Sequence, residues 1–302
     1  MTETASEHLS ESLPLDSTAQ LLTRITSQLG SQLSLVSLNG TRRPMHLTRS
    51  TAPTLVAVAH GSRDPQALRT VLELLDRVRE LRPGLDVRLG HIELNEPLLP
   101  DTLDGIGHGG DAVLVPLLLG RGHHVRHDLP RAAEAASGLR TRVAAPLGPH
   151  PLLVEALYER LVEAGWRDED GTSRSAAVVL AAAGSRDPDS DVDARRTAAM
   201  LSDRLGGVPV VPAYASAATP TVPAALRALA ARGRHRVALA SYFTAPGRFA
   251  TVSAAAAPGI AAAPLGAHPA MARLLLHRYD QAVTRTAPSY GALTHPHLLA
   301  SA

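Results

Sequence analysis

The sequence predicts an α/β protein built from two tandem parallel-sheet domains that are related by internal duplication. Short apolar runs alternate with longer segments of helical periodicity, which is the pattern of parallel strands covered by helices. The alternation pauses in a polar stretch at residues 168–175 and then starts again. Two segments of the first series return in the second: AHGSRDP (59–65) as AAGSRDP (182–188), and APLGPHP (145–151) as APLGAHP (263–269).

The first series contains strand-and-helix units that we assign to a domain at residues 53–167. Each strand is predicted from a short run rich in branched apolar residues, and each helix from apolar residues that recur every three or four positions. In order, the units are TLVAVAH with ALRTVLELLDRVREL, DVRLGHIEL with a short helix at 98–106, DAVLVPLLL with LPRAAEAAS, and TRVAAPL with PLLVEALYERLVEAGW.

After the polar linker at 168–175, the second series predicts a domain at residues 176–285. Its predicted strands are AAVVLAAAGS, VPVVPAYAS, HRVALASYF and IAAAPL. Its predicted helices lie around residues 195–205, in TVPAALRALAAR and at 268–283, and a Gly- and Ala-rich segment precedes the last strand. The remaining segments, 1–52 and 286–302, are predicted to be flexible tails.

The composition of the 302-residue chain excludes several classes of protein. Hydrophobic residues are 45% and charged residues 19%, an ordinary globular balance. The absence of cysteine excludes disulfide frameworks, zinc ribbons, iron–sulfur clusters and thiol nucleophiles. No apolar run reaches the ~20 residues of a membrane helix, and a net charge of +2 with 3% aromatic residues provides no nucleic-acid surface. We therefore expect a cytoplasmic protein that binds neither membranes nor nucleic acids.

Several catalytic motifs are also absent from the sequence. All 30 basic residues are arginine, so the lysine of an ATP-binding P-loop is missing. Neither the GxSxG elbow of serine hydrolases nor the HExxH motif of metalloproteases occurs. The chemistry must therefore come from residues that the fold, rather than a short motif, brings together.

Chemically active residues follow neighbouring strands of the first predicted sheet. Strand one ends at His60, strand two at Glu93, and strand three leads into GRGHHVRHDLP, which contains His123, His124 and His127. Because ligands of parallel sheets bind beyond the carboxyl ends of the strands, we expect these groups to converge. Two imidazole positions and a carboxylate predict a site for a divalent metal such as iron, cobalt, nickel or zinc.

The second half of the repeat serves as an internal control for this site. It lacks all the candidate ligands, because its alignment places Ala183, Ser216 and Phe249 at the positions of His60, Glu93 and His124. Residues confined to the first half are therefore the better candidates for function, and residues present in both halves are better explained by architecture.

Some residues keep two interpretations. Glu93 is either a ligand or the cap of the helix that follows it. His150 and His268, which precede helices in both halves, are predicted helix caps. Arg63 and Arg186 either pair with the adjacent aspartates at the helix starts or face an anionic ligand.

The motifs of the first half resemble the sirohydrochlorin chelatase family, the class II chelatases of the CbiX/SirB type. The resemblance is carried by HGSRDP, by ELxxP (Glu93–Pro97), by PLLLxxGxHVxxDLP (Pro116–Pro130) and by LGPHP, and it covers about residues 53–285. It implies two chelatase-like (flavodoxin-like) domains with an active site in the cleft between them. The chain would then be a monomer that forms an internal pseudo-dimer with one active site.

The resemblance also implies the roles of individual residues. His60, Glu93 and His124 would bind the metal and act in catalysis, and His124 is selected because the family places histidine directly before valine in HVxxD. His91, His123 and His127 are extra imidazoles, so replacement of His124 by His123 or His127 stays open. The substrate carboxylates would be bound by Ser62, Arg63, Arg121, Arg126, Arg186 and Arg248.

The implied reaction inserts Fe²⁺, giving siroheme, or Co²⁺, for cobalamin biosynthesis, into sirohydrochlorin without ATP. Two protons leave the tetrapyrrole, and no cofactor beyond the substrate metal ion is expected. Two other functions fit the same residues: a divalent-metal carrier or sensor without turnover, and a metal-assisted hydrolase.

Overall fold

The structure of the protein is a computed structural model that describes residues 52–285. The predicted tails fall, apart from residue 52, outside the described residues. The strands are β1 (Thr54–Ala59), β2 (Val87–His91), β3 (Asp111–Pro116), β4 (Arg140–Val143), β5 (Ala176–Ala182), β6 (Val210–Tyr214) and β7 (Arg236–Tyr242). We call residues 53–167 the first half and residues 176–285 the second half.

The α-helices are α1 (Pro65–Leu81), α2 (Leu99–Asp104), α3 (Leu129–Ala135), α4 (Pro151–Glu163), α5 (Asp168–Thr172), α6 (Pro188–Arg204), α7 (Val222–Ala230), α8 (Arg248–Ala255) and α9 (Pro269–Thr284). A π-helical turn, His124–Asp128, precedes α3. The polar stretch at 168–175 contains the short helix α5. None of the helices in the described part is both long and apolar enough to cross a membrane.

Each half contains a parallel sheet, which confirms the predicted fold class. Within the described residues, the strand order is β2-β1-β3-β4 in the first half and β6-β5-β7 in the second. The predicted fourth strand of the second half, IAAAPL, is reduced to a single parallel bridge between Leu239 and Ala261. Alanine has a low preference for strands, and Pro264 cannot donate to a ladder, so this segment does not extend the sheet.

The repeated RDP sequence starts the first long helix of each half in the same way. The Asp64 carboxylate accepts a hydrogen bond from the Gln66 amide, and the Asp187 carboxylate accepts one from the Asp189 amide. A proline follows each aspartate at the first helical position. The sequence is therefore repeated because both helices need the same cap, as expected of residues common to both halves.

The two histidines predicted to cap helices do so. His150 Nδ1 accepts from the Leu152 amide at 3.1 Å, and His268 Nδ1 accepts from the Ala270 amide at 3.2 Å. Both predictions, which rested on the presence of these residues in both halves, are confirmed.

The last helix of each half packs on the other half. Helix α4 contacts β7 and α6, whereas α9 contacts β3, β4 and α1. The inner faces of both sheets and these helices therefore enclose one common apolar core. Smaller apolar clusters lie under α2 and α3 in the first half and under α7 in the second.

Helices α4 and α9 each donate a hydrogen bond to the loop that precedes the other helix. Arg160 on α4 donates to the Leu265 carbonyl of the second half, and Arg278 on α9 donates to the Leu147 carbonyl of the first half, both at 3.0 Å. Arg160 and Arg278 occupy equivalent positions of the repeat, as do the two leucines. The halves are thus related by a pseudo-two-fold axis between α4 and α9, which is the arrangement of a symmetric dimer joined into one chain.

Candidate functional site

A cavity of about 810 Å³ lies where the carboxyl ends of the two sheets face each other. The loops that follow β1, β2 and β3 form one wall, and those that follow β5 and β7 form the other. Parallel sheets place their ligands at this edge. The volume is within the usual range of small-molecule sites.

His60 and Glu93 meet at the ends of β1 and β2. His60 Nε2 lies 3.4 Å from Glu93 Oε1, and the Glu93 amide donates to the His60 carbonyl at 3.1 Å. Gly61 has φ of 100°, and a Cβ atom there would overlap the carbonyl oxygen of Glu93. Glycine is therefore required for the two loops to approach closely enough to pair His60 with Glu93.

The loop that contains Glu93 is fixed to the next loop by Asn95. The Asn95 side-chain oxygen accepts a hydrogen bond from the Ser62 amide at 2.6 Å. Glu93 does not cap the following helix, because Leu98 is its N-cap residue and no side chain forms a capping hydrogen bond there. The capping interpretation of Glu93 is thus wrong, and its carboxylate, with 55% of the side chain exposed, is available to a ligand.

His124 lies on the π-helical turn and faces His60. Their ring centroids are 4.8 Å apart with the rings nearly perpendicular. His124 Nδ1 lies 2.6 Å from Asp128 Oδ2. Since an ionised carboxylate only accepts hydrogen bonds, Asp128 places the proton on Nδ1 and leaves the Nε2 lone pair free for a metal.

Asp128 was not among the residues predicted for the site. The signal in the sequence was the spacing HVRHD, because side chains four positions apart lie on one face of a helical turn. Its effect is to fix the ring orientation and tautomer of His124, as carboxylate partners of metal-binding histidines do.

The three extra imidazoles considered from the sequence make other contacts. His123 and His127 are exposed, His123 also lines the cavity, and their ring centroids are 4.8 Å apart. His91 is buried, and its Nδ1 lies 3.2 Å from the Pro97 carbonyl oxygen. Of the imidazoles expected near strand three, the structure therefore brings His124 against His60.

The candidate ligands do not form a closed metal cage. Across residues 52–285, no three histidine, aspartate or glutamate side chains are arranged to enclose a metal ion. His60 and His124 have 41% and 35% of their side chains exposed, so both rings face the open cavity. A metal held by these side chains would keep free coordination positions for water or a second ligand, unlike a metal in a closed structural site.

The predicted substrate-binding arginines separate into two groups. Arg63 and Arg248 line the cavity from opposite walls, and neither has an ion-pair partner among residues 52–285. Arg186 does not line the cavity and does not pair with Asp187, whose carboxylate is taken by Arg126 at 3.2 Å. Of these three residues, Arg63 and Arg248 are free to bind an anion inside the cavity.

Arg121 and Arg126 connect the two halves instead. Arg121 forms a bidentate pair with Asp193 and lies 3.4 Å from Asp189, and Arg126 also pairs with Asp189. Hydrogen bonding to Asp193 raises the pKa of Arg121 above its usual value. These pairs, which the sequence did not predict, attach the loop and the turn on both sides of His124 to α6.

Ser62 and Tyr242 have structural partners at the cavity. Ser62 Oγ accepts from the Asp64 amide at 3.1 Å, and Ser185 Oγ accepts from the Asp187 amide at the same distance in the second half. The buried Tyr242 hydroxyl donates to the Leu119 carbonyl at 2.9 Å. Burial raises the pKa of Tyr242, so the hydroxyl stays protonated and holds the loop after β3 from the second half.

The second half retains the backbone of the site without its ligands. Ser216 donates its amide to the Ala183 carbonyl at 2.9 Å, as Glu93 does to His60. A Cβ atom on Gly184 would overlap the carbonyl oxygen of Ser216. Phe249, aligned with His124, lines the cavity with 40% of its surface exposed. The alignment made from the sequence is therefore confirmed by the backbone contacts.

Comparisons with known proteins agree with the repeat. The profile of the CbiX family matches residues 54–164 and again residues 177–282, once in each half. The chain is 28% identical over 172 residues to the sirohydrochlorin ferrochelatase of Bacillus subtilis, covering 55% of this chain and 64% of that protein. It is 32% identical over 79 residues to the sirohydrochlorin cobaltochelatase of Methanococcus maripaludis, covering 26% and 55%. The matches thus span between about half and two thirds of these relatives.

Solved structures share the fold. SirB from Bacillus subtilis, determined with Fe³⁺, superposes with a TM-score of 0.62 at 23% identity, covering 76% of this chain and 95% of that one. DR2241 from Deinococcus radiodurans, described as similar to chelatases with two additional domains, gives 0.59 at 21% identity, covering 76% and 55%. These solved structures therefore share the fold of this chain.

Proposed function

Because the chain belongs to the CbiX family, we propose that it is a sirohydrochlorin chelatase that inserts Fe²⁺ or Co²⁺ into the tetrapyrrole. The observation that carries this proposal is the pair His60 and His124, whose rings lie 4.8 Å apart at a cavity with Glu93 beside them. The second half, with the same backbone, has none of these groups, so the backbone alone does not require them.

The first step is the capture of the metal by the first half. Imidazole and carboxylate ligands suit Fe²⁺ and Co²⁺, and affinity alone does not select either metal over its neighbours in the series. His60, Glu93 and the free Nε2 of His124 would hold the ion loosely. This suits a substrate metal, because the ion must be released to the nitrogens of the macrocycle.

The second step is the exchange of protons for metal. Two pyrrole N–H bonds break as the metal forms its bonds to the tetrapyrrole nitrogens, and the two protons must leave the ring. The Glu93 carboxylate and the imidazoles, as they release the metal, are the bases within reach. Each returns its proton to solvent through the open cavity, so the charge balances without ATP.

Binding of the tetrapyrrole would use both walls of the cavity. The substrate has many carboxylates, and Arg63 and Arg248 are the cavity-lining arginines without ion-pair partners in the described part of the chain. Phe249 offers an apolar surface to the flat macrocycle. We assign weaker substrate roles to Arg121, Arg126 and Arg186, because the first two are paired with aspartates and the third lies off the cavity.

We propose that the enzyme acts as a monomer, because both walls of the cavity come from one chain. The cytoplasmic location and the lack of any cofactor besides the substrate metal stay predictions.

The test is an anaerobic absorbance assay in which sirohydrochlorin is mixed with Fe²⁺ or Co²⁺. We expect spectral conversion well above the uncatalysed rate. His60→Ala and His124→Ala should each reduce the rate by about 10²–10⁴-fold, the range of a lost acid–base group. The matched control is His108→Ala, since His108 is exposed and lies before β3, at the opposite edge of the sheet.

Each alternative function has its own outcome in this assay. Tight metal binding without conversion of the tetrapyrrole by either metal would indicate a carrier or sensor. Full activity in His60→Ala and His124→Ala would show that catalysis occurs elsewhere in the cavity. The metal with the faster conversion is the better metal substrate of the enzyme.

A further inference from the structure

We propose that His123 and His127 form an accessory site for a divalent transition metal at the mouth of the cavity. In this site the ion is held before it moves to His60 and His124. The binding of metal stands on the geometry alone, whereas the delivery role rests on the proposed function. Neither residue is needed for the primary site, because His124 already faces His60.

The turn that contains these residues has two pairs of side chains four positions apart. His124 lines the cavity and bonds to Asp128 at 2.6 Å. His123 and His127, which we call the outer pair, are both exposed; 72% of the His123 side chain is exposed, and this residue also lines the cavity. Their ring centroids are 4.8 Å apart and the rings are tilted by 43°. Two imidazoles so placed can bind one ion while water completes its coordination shell.

The imidazoles form a continuous row from solvent to the cavity. Successive ring centroids are 4.8 Å apart from His127 to His123, 6.1 Å from His123 to His124 and 4.8 Å from His124 to His60. Asp128 lies between the outer and inner pairs: Oδ2 contacts His124, and Oδ1 lies 3.9 Å from His123 Nε2. An ion can therefore pass inward by exchanging one ligand at a time.

The arginines of the turn are already paired with aspartates. Arg121 pairs with Asp189 and Asp193, and Arg126 pairs with Asp187 and Asp189. Each arginine of the described loop 120–128 is thus paired with aspartates of the second half. The group contains three aspartates, Asp187, Asp189 and Asp193, for two arginines.

A second histidine pair in the structure shows what distinguishes the proposed site. His150 and His277 have ring centroids 4.7 Å apart. However, His150 Nδ1 accepts from a helix amide, and the Arg278 charge lies nearby. The outer pair has neither constraint. In the second half, Arg248 and Val252 occupy the positions of His123 and His127, so the outer pair is confined to the half with the primary ligands.

The experiment compares the number of Co²⁺ ions bound by four forms of the full chain under anaerobic conditions. These are wild type, His123→Ala/His127→Ala, His60→Ala/His124→Ala and the control His108→Ala/His235→Ala, which removes two exposed imidazoles at the other edge of the sheets. We expect each of the first two double variants to bind one ion fewer than wild type, and the control to bind the same number. Unchanged stoichiometry in His123→Ala/His127→Ala overturns the proposal.

The delivery role is tested by the rate at different Co²⁺ concentrations. The His123→Ala/His127→Ala variant should need a several-fold higher Co²⁺ concentration for half-maximal rate, and its deficit should shrink as the metal approaches saturation. A deficit that persists at saturating metal overturns delivery and indicates damage to the primary site. His123→Asn/His127→Asn, which keeps polar side chains on the turn, must behave in the same way.

Failure of the chelatase assignment would be visible separately. If wild type shows no turnover but the outer double variant still binds one Co²⁺ fewer, the accessory site stands and the proposed function fails. If turnover is normal and the stoichiometry does not change, the proposed function stands and the accessory site fails.

Discussion

Gly61 in the first half and Gly184 in the second are surrounded by the same backbone, yet they border different chemistry. Each has a positive φ, and at each a Cβ atom would overlap the carbonyl oxygen of the facing loop, that of Glu93 or of Ser216. Each is followed by a serine, an arginine and a capping aspartate. The close approach of two loops is therefore a requirement of the fold, which both halves keep.

The halves have different side chains at the positions where the first half has its candidate reactive groups. The first half has His60, Glu93, His124 and Asp128 where the second half has Ala183, Ser216, Phe249 and Ser253. Three of these replacements remove a candidate metal ligand, and the fourth removes the carboxylate that contacts His124. One half thus holds reactive groups, while the other offers an apolar and cationic wall. The two walls of a symmetric dimer could not diverge in this way, because every substitution would appear in both.

The sharpest test of this comparison is the pair of variants Gly61→Ala and Gly184→Ala. Both should lower the free energy of unfolding by about 2–4 kcal/mol, because positive φ and backbone overlap act together. Urea denaturation measures this loss. Only Gly61→Ala should also abolish turnover in protein that is still folded, since it displaces Glu93. Equal loss of turnover in folded Gly184→Ala would show that the second half holds chemistry we have not identified.

The next test replaces Asp128 by serine, the residue that the second half has at the equivalent position 253. Asp128→Ser should weaken Co²⁺ binding at the primary site by about 10–100-fold, as loss of a carboxylate behind a histidine ligand does. Metal titration in the His123→Ala/His127→Ala background isolates this site. Asp128→Glu should recover part of the affinity, and a Ser variant with full affinity would mean that His124 needs no orienting group.

A smaller effect is expected from the opposite wall. Phe249→Ala should raise the KM for the tetrapyrrole by about 2–10-fold, corresponding to the loss of one aromatic contact, without changing Co²⁺ affinity. Val252→Ala is the control, because Val252 is exposed on the same helix but does not line the cavity. A change in metal affinity in Phe249→Ala would contradict the assignment of metal binding to the first half and of tetrapyrrole contact to the second.

The smallest effect concerns stability and pH. Burial, together with the charges of Arg278 and His277, lowers the pKa of His150 from 6.5 to about 4. The unfolded chain therefore takes up a proton at a higher pH than the folded chain does. The stability contributed by neutral His150 is complete above pH 6.5 and is lost as the pH falls from 6.5 towards 4.

After allowance for the partial exposure of His150, this loss amounts to about 1 kcal/mol. In urea denaturation at several pH values, His150→Gln should flatten the decline between pH 6.5 and 4, and the exposed His108→Gln should not. An unchanged slope in His150→Gln would show that other groups cause the decline.

The strand-and-helix pattern predicted that His60, Glu93 and the histidines of residues 123–127 converge, because the ends of neighbouring parallel strands lie at one edge of a sheet. The choice of His124 among these histidines came from the family resemblance. The pattern did not reveal the pairing of Arg121 and Arg126 with α6 and its cap Asp187, since these contacts join segments more than 60 positions apart. Nor did it reveal that α4 and α9 each pack on the half of the chain to which they do not belong. Hydrophobic periodicity identifies the buried face of a helix but does not specify which sheet that face covers.

The packing of α9 on the first half determines the order in which the chain can finish folding during synthesis. Strands β3 and β4 are complete at Val143, whereas α9, which packs on them, ends at Thr284. Contacts between such distant segments form late, after a large loss of chain entropy. The inner face of the first sheet therefore waits for its helix until almost the whole second half has left the ribosome, and this is the interval in which the nascent chain is most exposed to aggregation.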